Sequence, residues 1–402
     1  MEKKRLTGYQ DIPLLGVSLS REKRYEAMVW PMLGWYDIHA RTLPWREQVS
    51  AYRVWISEIM LQQTRVEAVK PYYARFLAEL PDVKALAEVP EERLMKLWQG
   101  LGYYSRARNL QKAANVVMEQ FGGEMPKTQE ELLSLPGIGS YTAGAIASIA
   151  YGLPEPALDG NGFRVLTRLF EDDREIDKPQ LRKELEAELR ALLVQGAEGR
   201  EIPAGKFNQA MMEIGATVCV PNGAPSCEEC PLSGICLAHH TGTETDYPVK
   251  SAKKPRKIEN RTIFRIETPT GYLIRKRPEK GLLAGLYEFP AAEERLDEAA
   301  AARYMQDAVQ NAYDNENAFG DELEFGIGVD AEIVAPEVEM EFIGDAKHIF
   351  SHIEWHMSGY RAKLDEESAK RLKAYWNLVE VTGEEFREEV AMPSAFRAYV
   401  PH

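Results

Sequence analysis

Apolar residues recur at three- and four-residue steps from Arg21 to about His239, the period of helices buried along one face. The spacing predicts helix within Arg53–Leu80, where Pro81 ends the run. It predicts further helices over Glu91–Gln99 and Ser105–Gln120, joined by the segment GLGYY. A Gly/Pro turn at Phe121–Pro126 leads to a helix pair, Glu130–Leu135 and Ser140–Tyr151, around Pro-Gly-Ile-Gly. Gly162–Phe170, Gln180–Gln195 and Ala204–Val218 continue the helical half. Thr241–Asn260 is polar, basic and without period, so it reads as a linker. Beyond it the period becomes two. Thr262, Phe264 and Ile266 alternate with Ile263, Arg265 and Glu267; Val338–Phe342 and Ile353–Ser358 alternate likewise, and residues 296–312 form one helix. The expected organisation is an extension over 1–20, an all-α domain over 21–240, a linker over 241–260 and an α+β domain over 261–402.

Composition supports this division. The 402 residues are 45% hydrophobic and 28% charged, the balance of a globular protein with ample core. The longest apolar stretch, around Ala143–Ala150, falls far short of the roughly 20 residues that span a bilayer. The start, MEKKRLTGYQDIPLL, lacks the apolar core of a secretory signal, so no membrane association and a cytoplasmic location are expected. The net charge of −14 is uneven: zero over 1–160, −5 over 161–250, +7 over 251–280 and −16 over 281–402. An acidic total argues against bulk nucleic-acid binding but not against a local site, because phosphate contacts need only a few well-placed groups.

All four cysteines, Cys219, Cys227, Cys230 and Cys236, lie within 18 residues, spaced C-x7-C-x2-C-x5-C. In a reducing compartment this is a metal site rather than a disulfide pair. Four thiolates suit zinc or an iron–sulfur cluster. Zinc usually takes two close pairs, and only Cys227 and Cys230 form one; a proline beside a ligand (Pro231) is nearer to a 4Fe–4S site. His239 and His240 follow as surface residues.

Three further features carry candidate chemistry. Gly137 and Gly139 in Leu-Pro-Gly-Ile-Gly let the backbone come close to a partner and offer N–H groups at a helix start. That suits a DNA phosphate, or simply a tight helix–helix turn. Glu58 lies in VWISEIML, so its carboxyl should resist ionising. It is then a general acid or a buried structural group. Asp159 in Leu-Asp-Gly-Asn precedes a helix, where it caps the N-terminus and can also aim a carboxylate into a cleft.

With SEIMLQQT, GLGYYSRARNL, LPGIGSYTAGAI, LDGN, FNQAMMEIGATVC and the cysteine cluster, the chain resembles the adenine DNA glycosylases of the helix-hairpin-helix superfamily. GLLAGLYEFP and HIFSH resemble the Nudix-like second domain of that family, and the likeness runs from about Arg21 to the C-terminus. The resemblance implies a multidomain protein: an all-α helix-hairpin-helix glycosylase domain with a 4Fe–4S module, then an α+β Nudix-like domain. It implies a monomer acting on double-stranded DNA that carries adenine opposite 8-oxoguanine or guanine.

By resemblance Glu58 is the acid, Asp159 the carboxylate that stabilises positive charge on the sugar, and Tyr141 its helper. Leu43, Trp45 and Arg46 match the wall of the adenine pocket, and Gln63, Leu101 and Tyr103 match residues that wedge into the base stack. Gly137, Gly139 and Asn161 fall in the DNA-contacting motifs. Phe350, Ser351 and His352 match the loop that reads 8-oxoguanine, Ser distinguishing its N7–H from the bare N7 of guanine. Strand-cleaving relatives carry a lysine in the hairpin. Tyr141 cannot form an imine, so a monofunctional enzyme is implied. The second domain lacks the magnesium-binding pattern of Nudix hydrolases, which makes it a reader rather than a catalyst. Two departures stand out: a first cysteine gap of seven residues rather than six, and Gly162 in place of the usual Val. Competing readings are a glycosylase for another lesion and a non-catalytic iron–sulfur DNA-binding protein.

Overall fold

The computed structural model of the protein describes residues 18–252, 255–315 and 334–401, so most of the expected extension over 1–20 lies outside the described residues. The helical half runs α1 (Arg21–His39), α2 (Pro44–Glu47), α3 (Ala51–Leu61), α4 (Val66–Glu79), α5 (Val83–Glu88), α6 (Glu91–Trp98) and α7 (Ser105–Gln120). It continues with α8 (Gln129–Ser134), α9 (Ser140–Tyr151), α10 (Gly160–Phe170), α11 (Pro179–Gln195), α12 (Ala204–Thr217) and α13 (Leu237–Thr241). Within Arg53–Leu80 the helix is broken between α3 and α4. Gln62-Gln63-Thr64 presents no apolar side chain to anchor a further turn, and Gln63 adopts a left-handed backbone (φ 60°). The Thr64 hydroxyl donates to Gln62 O at 3.3 Å, a local bond that competes with helix.

The described residues divide into two compact units, one within Met1–Glu88 and Arg108–Lys253, the other within Val89–Ala107 and Lys254–His402. The sequence pattern grouped 21–240 together. Val89–Ala107, with α6, instead packs in the second unit. In the first unit α1, α10, α11 and α12 close around Met28, Met32, Leu166, Leu185 and Phe207, all fully buried or nearly so. The presumed linker is partly tied down, since Ile176 N–H donates to Val249 O at 2.9 Å and Ser251 N–H to Asp177 Oδ2 at 3.0 Å.

The second unit holds β1 (Lys257–Glu267), β2 (Gly271–Lys276), β3 (Tyr287–Glu288), β4 (Ala291–Ala292), α14 (Glu298–Asp314), β5 (Glu339–Ile349), β6 (Ile353–Lys363), α15 (Glu366–Tyr375), β7 (Val379–Thr382) and α16 (Gly383–Glu388). The mixed sheet runs β3-β2-β1-β6-β5, with β1 and β6 parallel, β4 paired to β1 and β7 to β2. The two-residue period does the sorting. Phe264 and Ile266 join a core with Met305, Val309 and Leu372, whereas Ile263 enters another with Trp355, Phe386 and Phe396. The sheet is thus covered on both faces.

Candidate active site

Glu58, Tyr141 and Asp159, singled out in the first unit, converge on one cleft of about 670 Å³, inside the range of roughly 300–1,000 Å³ usual for small-molecule sites. Glu58 enters from α3, Tyr141 from α9 and Asp159 from the start of α10. Glu58 is 6% exposed because its neighbours Trp55, Ile56, Ile59 and Met60 on α3 are apolar and buried. Burial pushes its carboxyl up to about 7, and the neighbouring Asp159 charge adds to this; the Tyr141 hydroxyl and Arg46 oppose it. Tyr141 O–H donates to Glu58 Oε2, and its oxygen lies 3.7 Å from Met212 Sδ. Burial raises the Tyr141 phenol well above its ordinary value, so it stays a donor.

Asp159 is the N-cap of α10. Oδ1 accepts from Gly162 N–H at 2.8 Å and Oδ2 from the Asn161 amide at 2.8 Å. Burial raises its carboxyl too, while those two N–H donors favour the charged form. Glu58 has one O–H donor and Asp159 two N–H donors, an asymmetry that suits one acid and one carboxylate. Capping and facing the cleft coexist at Asp159. The Gly162 position is also sterically defined, since a Cβ there would lie 2.6 Å from Leu158 Cδ1.

Leu43, Trp45 and Arg46 line the same cleft, as do Gln63, Gly139 and Asn161. Gln63 is exposed. Arg46 is held by a group that sequence reasoning missed. Fully buried Glu213, on α12, accepts from Arg46 Nη2 at 2.8 Å and from Arg41 Nε at 2.6 Å. Burial alone would raise Glu213, but the two guanidinium groups hold it below its ordinary value. The signal was the one used for Glu58, a lone carboxylate in an apolar helix, FNQAMMEIGA. Gly137, at φ 78°, makes the hairpin turn between α8 and α9; a Cβ there would come within 2.7 Å of Asn109 Cβ. Helix α9 begins without a side-chain cap, leaving its first amides to a ligand or water.

The wedge candidates divide. Tyr103 is 53% exposed with φ 47°, whereas Leu101 is 6% exposed. Tyr103 is thus the side chain available for insertion here. In the second unit, Phe350, Ser351 and His352 form the turn from β5 to β6. Phe350 packs on Trp355 (ring centroids 4.9 Å), while Ser351 and His352 are exposed and bond one another at 3.1 Å.

The four thiols line one pocket and are not in disulfides. Burial pushes Cys227 up to about 12 and Cys236 up to about 11, with the other thiols adding to each, and it raises Cys230 further. Thiolates can gather in such surroundings only around positive charge, which is what a metal centre supplies, so the donor set fits one. Fully buried Arg168 donates to Cys219 Sγ at 3.2 Å and to Val220 O at 3.0 Å. His239 is nearer than expected: its Nδ1 lies 2.8 Å from Glu244 Oε1, which lies 3.5 Å from Cys227 Sγ. The extra residue in the first cysteine gap sits in an exposed turn, Pro221–Ala224, with Gly223 at φ 77°. A bonded path joins the cysteine loop to the cleft. Arg164 donates to Cys219 O at 2.7 Å and to Asn161 Oδ1 at 2.8 Å, and Asn161 donates to Asp159.

Residues 56–191 match the family described as HhH-GPD superfamily base excision DNA repair protein, and residues 262–402 match a NUDIX domain. The fold and cleft therefore define a base-excision DNA glycosylase with a Nudix-like domain. The adenine DNA glycosylase of Mus musculus is 34% identical over 430 residues, 92% of this chain and 77% of that protein. That of Arabidopsis thaliana is 37% identical over 362 residues, covering 80% and 55%. Among solved structures, a thermostable thymine-DNA glycosylase covers 55% of this chain and 98% of its own, with a TM-score of 0.48 and 27% identity. The chain belongs to the adenine DNA glycosylase family. Among the described residues no helix is long and apolar enough to cross a membrane.

Proposed function

We propose that the protein hydrolyses the N-glycosidic bond of adenine mispaired with 8-oxoguanine or guanine in duplex DNA, without cutting the strand. The observation that carries this is the pairing of Glu58, raised to about 7 and bonded to Tyr141, with the doubly bonded Asp159 in one cleft. A base inside a duplex must first be extruded into such a cleft. Adenine leaves poorly until protonated. Glu58 delivers the proton to the base and then takes one from the attacking water. Asp159 faces the positive charge that develops on the deoxyribose, with Tyr141 supporting Glu58. The logic is that of two-carboxylate glycoside hydrolysis. Arg46, fixed by Glu213, and the buried Leu43 and Trp45 shape the wall against which adenine lies.

Cys219, Cys227, Cys230 and Cys236 would hold a 4Fe–4S cluster, which supplies structural cross-linking of the loop. Arg164 and Arg168 brace that loop against α10. Ser351 and His352 read the oxidised partner base, and the chain acts as a monomer. Incubation with duplexes carrying adenine opposite 8-oxoguanine, guanine or thymine tests this directly. Abasic sites should form fastest opposite 8-oxoguanine, and release that ignores the partner base refutes the proposal.

A further inference from the structure

The segment that bears the exposed Tyr103 is threaded into the second unit, although the chain before Val89 and after Ala107 belongs to the first. Two side chains fasten it there. Lys96 Nζ donates to Arg387 O at 2.5 Å and to Val390 O at 3.1 Å. Gln99 Nε2 donates to Met392 O at 3.2 Å. Arg387 O is among the last carbonyls of α16, which a helix leaves without intrahelical partners, and Val390 O and Met392 O lie just beyond the helix. A third contact, Lys276 Nζ to Glu92 Oε1 at 3.3 Å, ties the start of α6 to β2. Leu94, Met95 and Trp98 are buried.

Gln99 is the C-cap of α6, and the loop Gly100–Tyr103 starts at the next residue. That loop is stiff. Gly100, Gly102 and Tyr103 all have positive φ. Arg106 Nη2 donates to Leu101 O at 2.9 Å and to Gly102 O at 3.0 Å, and Trp98 Nε1 donates to Gly102 O at 3.1 Å. The Arg106 guanidinium also lies over the Trp98 and Tyr103 rings, at 5.3 and 5.7 Å. A rigid loop presenting a half-exposed aromatic ring is built to enter a base stack. The unit that carries it is also the unit that carries Ser351 and His352.

We propose that Lys96 and Gln99 are positioning residues that fasten the Tyr103 loop to the unit reading the partner base, so that docking on the oxidised base seats the wedge. This rests on the proposed reader role of residues 350–352. Recognition and extrusion of adenine are then one event. Binding free energy gained at the partner base goes into opening the stack.

The test uses the full chain, with 2-aminopurine beside the target adenine as the probe of extrusion and single-turnover adenine release as the readout of chemistry. Lys96→Met with Gln99→Ala should lower the 2-aminopurine signal on the 8-oxoguanine duplex. It should also reduce the preference for 8-oxoguanine over guanine by about tenfold or more. Affinity for undamaged duplex should hold. Tyr103→Ala should give the same extrusion defect, and combining it with the double variant should add nothing, since residues acting as one unit are non-additive. Lys96→Arg, which keeps the donors, should restore the signal. Should the Lys96→Met chain fail to fold, Gln99→Ala alone should show a smaller defect of the same kind. Unchanged extrusion and preference, or losses that add to those of Tyr103→Ala, would overturn the proposal. A parent protein that shows no preference for 8-oxoguanine would sink the reader role itself. The linkage of Lys96 and Gln99 to Tyr103 would still be scored by the extrusion signal.

Discussion

Replacing Asp159 by Asn separates its two roles. Asn keeps an oxygen for Gly162 N–H, so the cap on α10 survives, Asn and Asp being near-equal at that position. The second bond does not survive. An amide NH₂ at Oδ2 would face the Asn161 NH₂ group, and Asn161 is held in orientation by Arg164 through its own oxygen. One frustrated bond costs about 1–2 kcal/mol of stability. The chemical loss is larger. A full charge about 4 Å from a developing cation contributes ~4 kcal/mol at an effective dielectric near 20. At about 1.4 kcal/mol per factor of ten, that is roughly a thousandfold in rate. Single-turnover release of adenine opposite 8-oxoguanine, scored by alkaline scission at the abasic site, reads the rate, and fluorescence anisotropy reads binding. The expected result is a rate lower by about 10³ with affinity within about threefold. A variant within tenfold of the parent rate would refute the reasoning and leave Asp159 as a helix cap only.

Glu58 keeps its proton in the folded chain up to about pH 7 but loses it near 4.5 when unfolded, so stability should fall as pH rises through that window. Glu58→Gln should abolish adenine release, remove that slope and raise the melting temperature at pH 8. The parent's release rate should also drop above pH 7, where the acid is spent. Purified protein should be brown with about four irons per chain, whereas colourless protein with one zinc would overturn the cluster assignment. Because Tyr141 stands where an imine-forming lysine would be needed, borohydride should trap no stoichiometric DNA adduct at the hairpin. Ser351→Ala with His352→Ala should narrow the preference for 8-oxoguanine over guanine by about tenfold, the value of one or two hydrogen bonds, while leaving the basal rate opposite guanine unchanged.

Much of the site was legible because it breaks local rules. A glutamate among apolar neighbours, an aspartate just before a helix and four crowded cysteines each stand out without a structure. Glu213 broke the same rule as Glu58 but lay in a segment read only as a helix and as part of the family resemblance, so its hold on Arg46 went unseen. The interruption at Gln62–Arg65 was hidden because apolar spacing continues on both sides of it. Pattern also cannot name a helix's partner. Leu94, Met95 and Trp98 declare that α6 has a buried face, but nothing local says that Lys96 and Gln99 beside them bond to carbonyls from the far end of the chain.

That threading bears on how the protein is made. Gln99 and its acceptor Met392 are 293 residues apart in sequence. At synthesis rates of ~5–20 residues per second, the ribosome needs roughly 15–60 s to cover that distance. Through all of it Lys96 and Gln99 are without their carbonyl acceptors. The nascent chain therefore carries an unfastened Tyr103 loop in the middle of a half-finished domain. A chain stopped at the presumed linker would keep that loop unfastened for good. Loss of the fastening should then mark premature termination anywhere before Arg387.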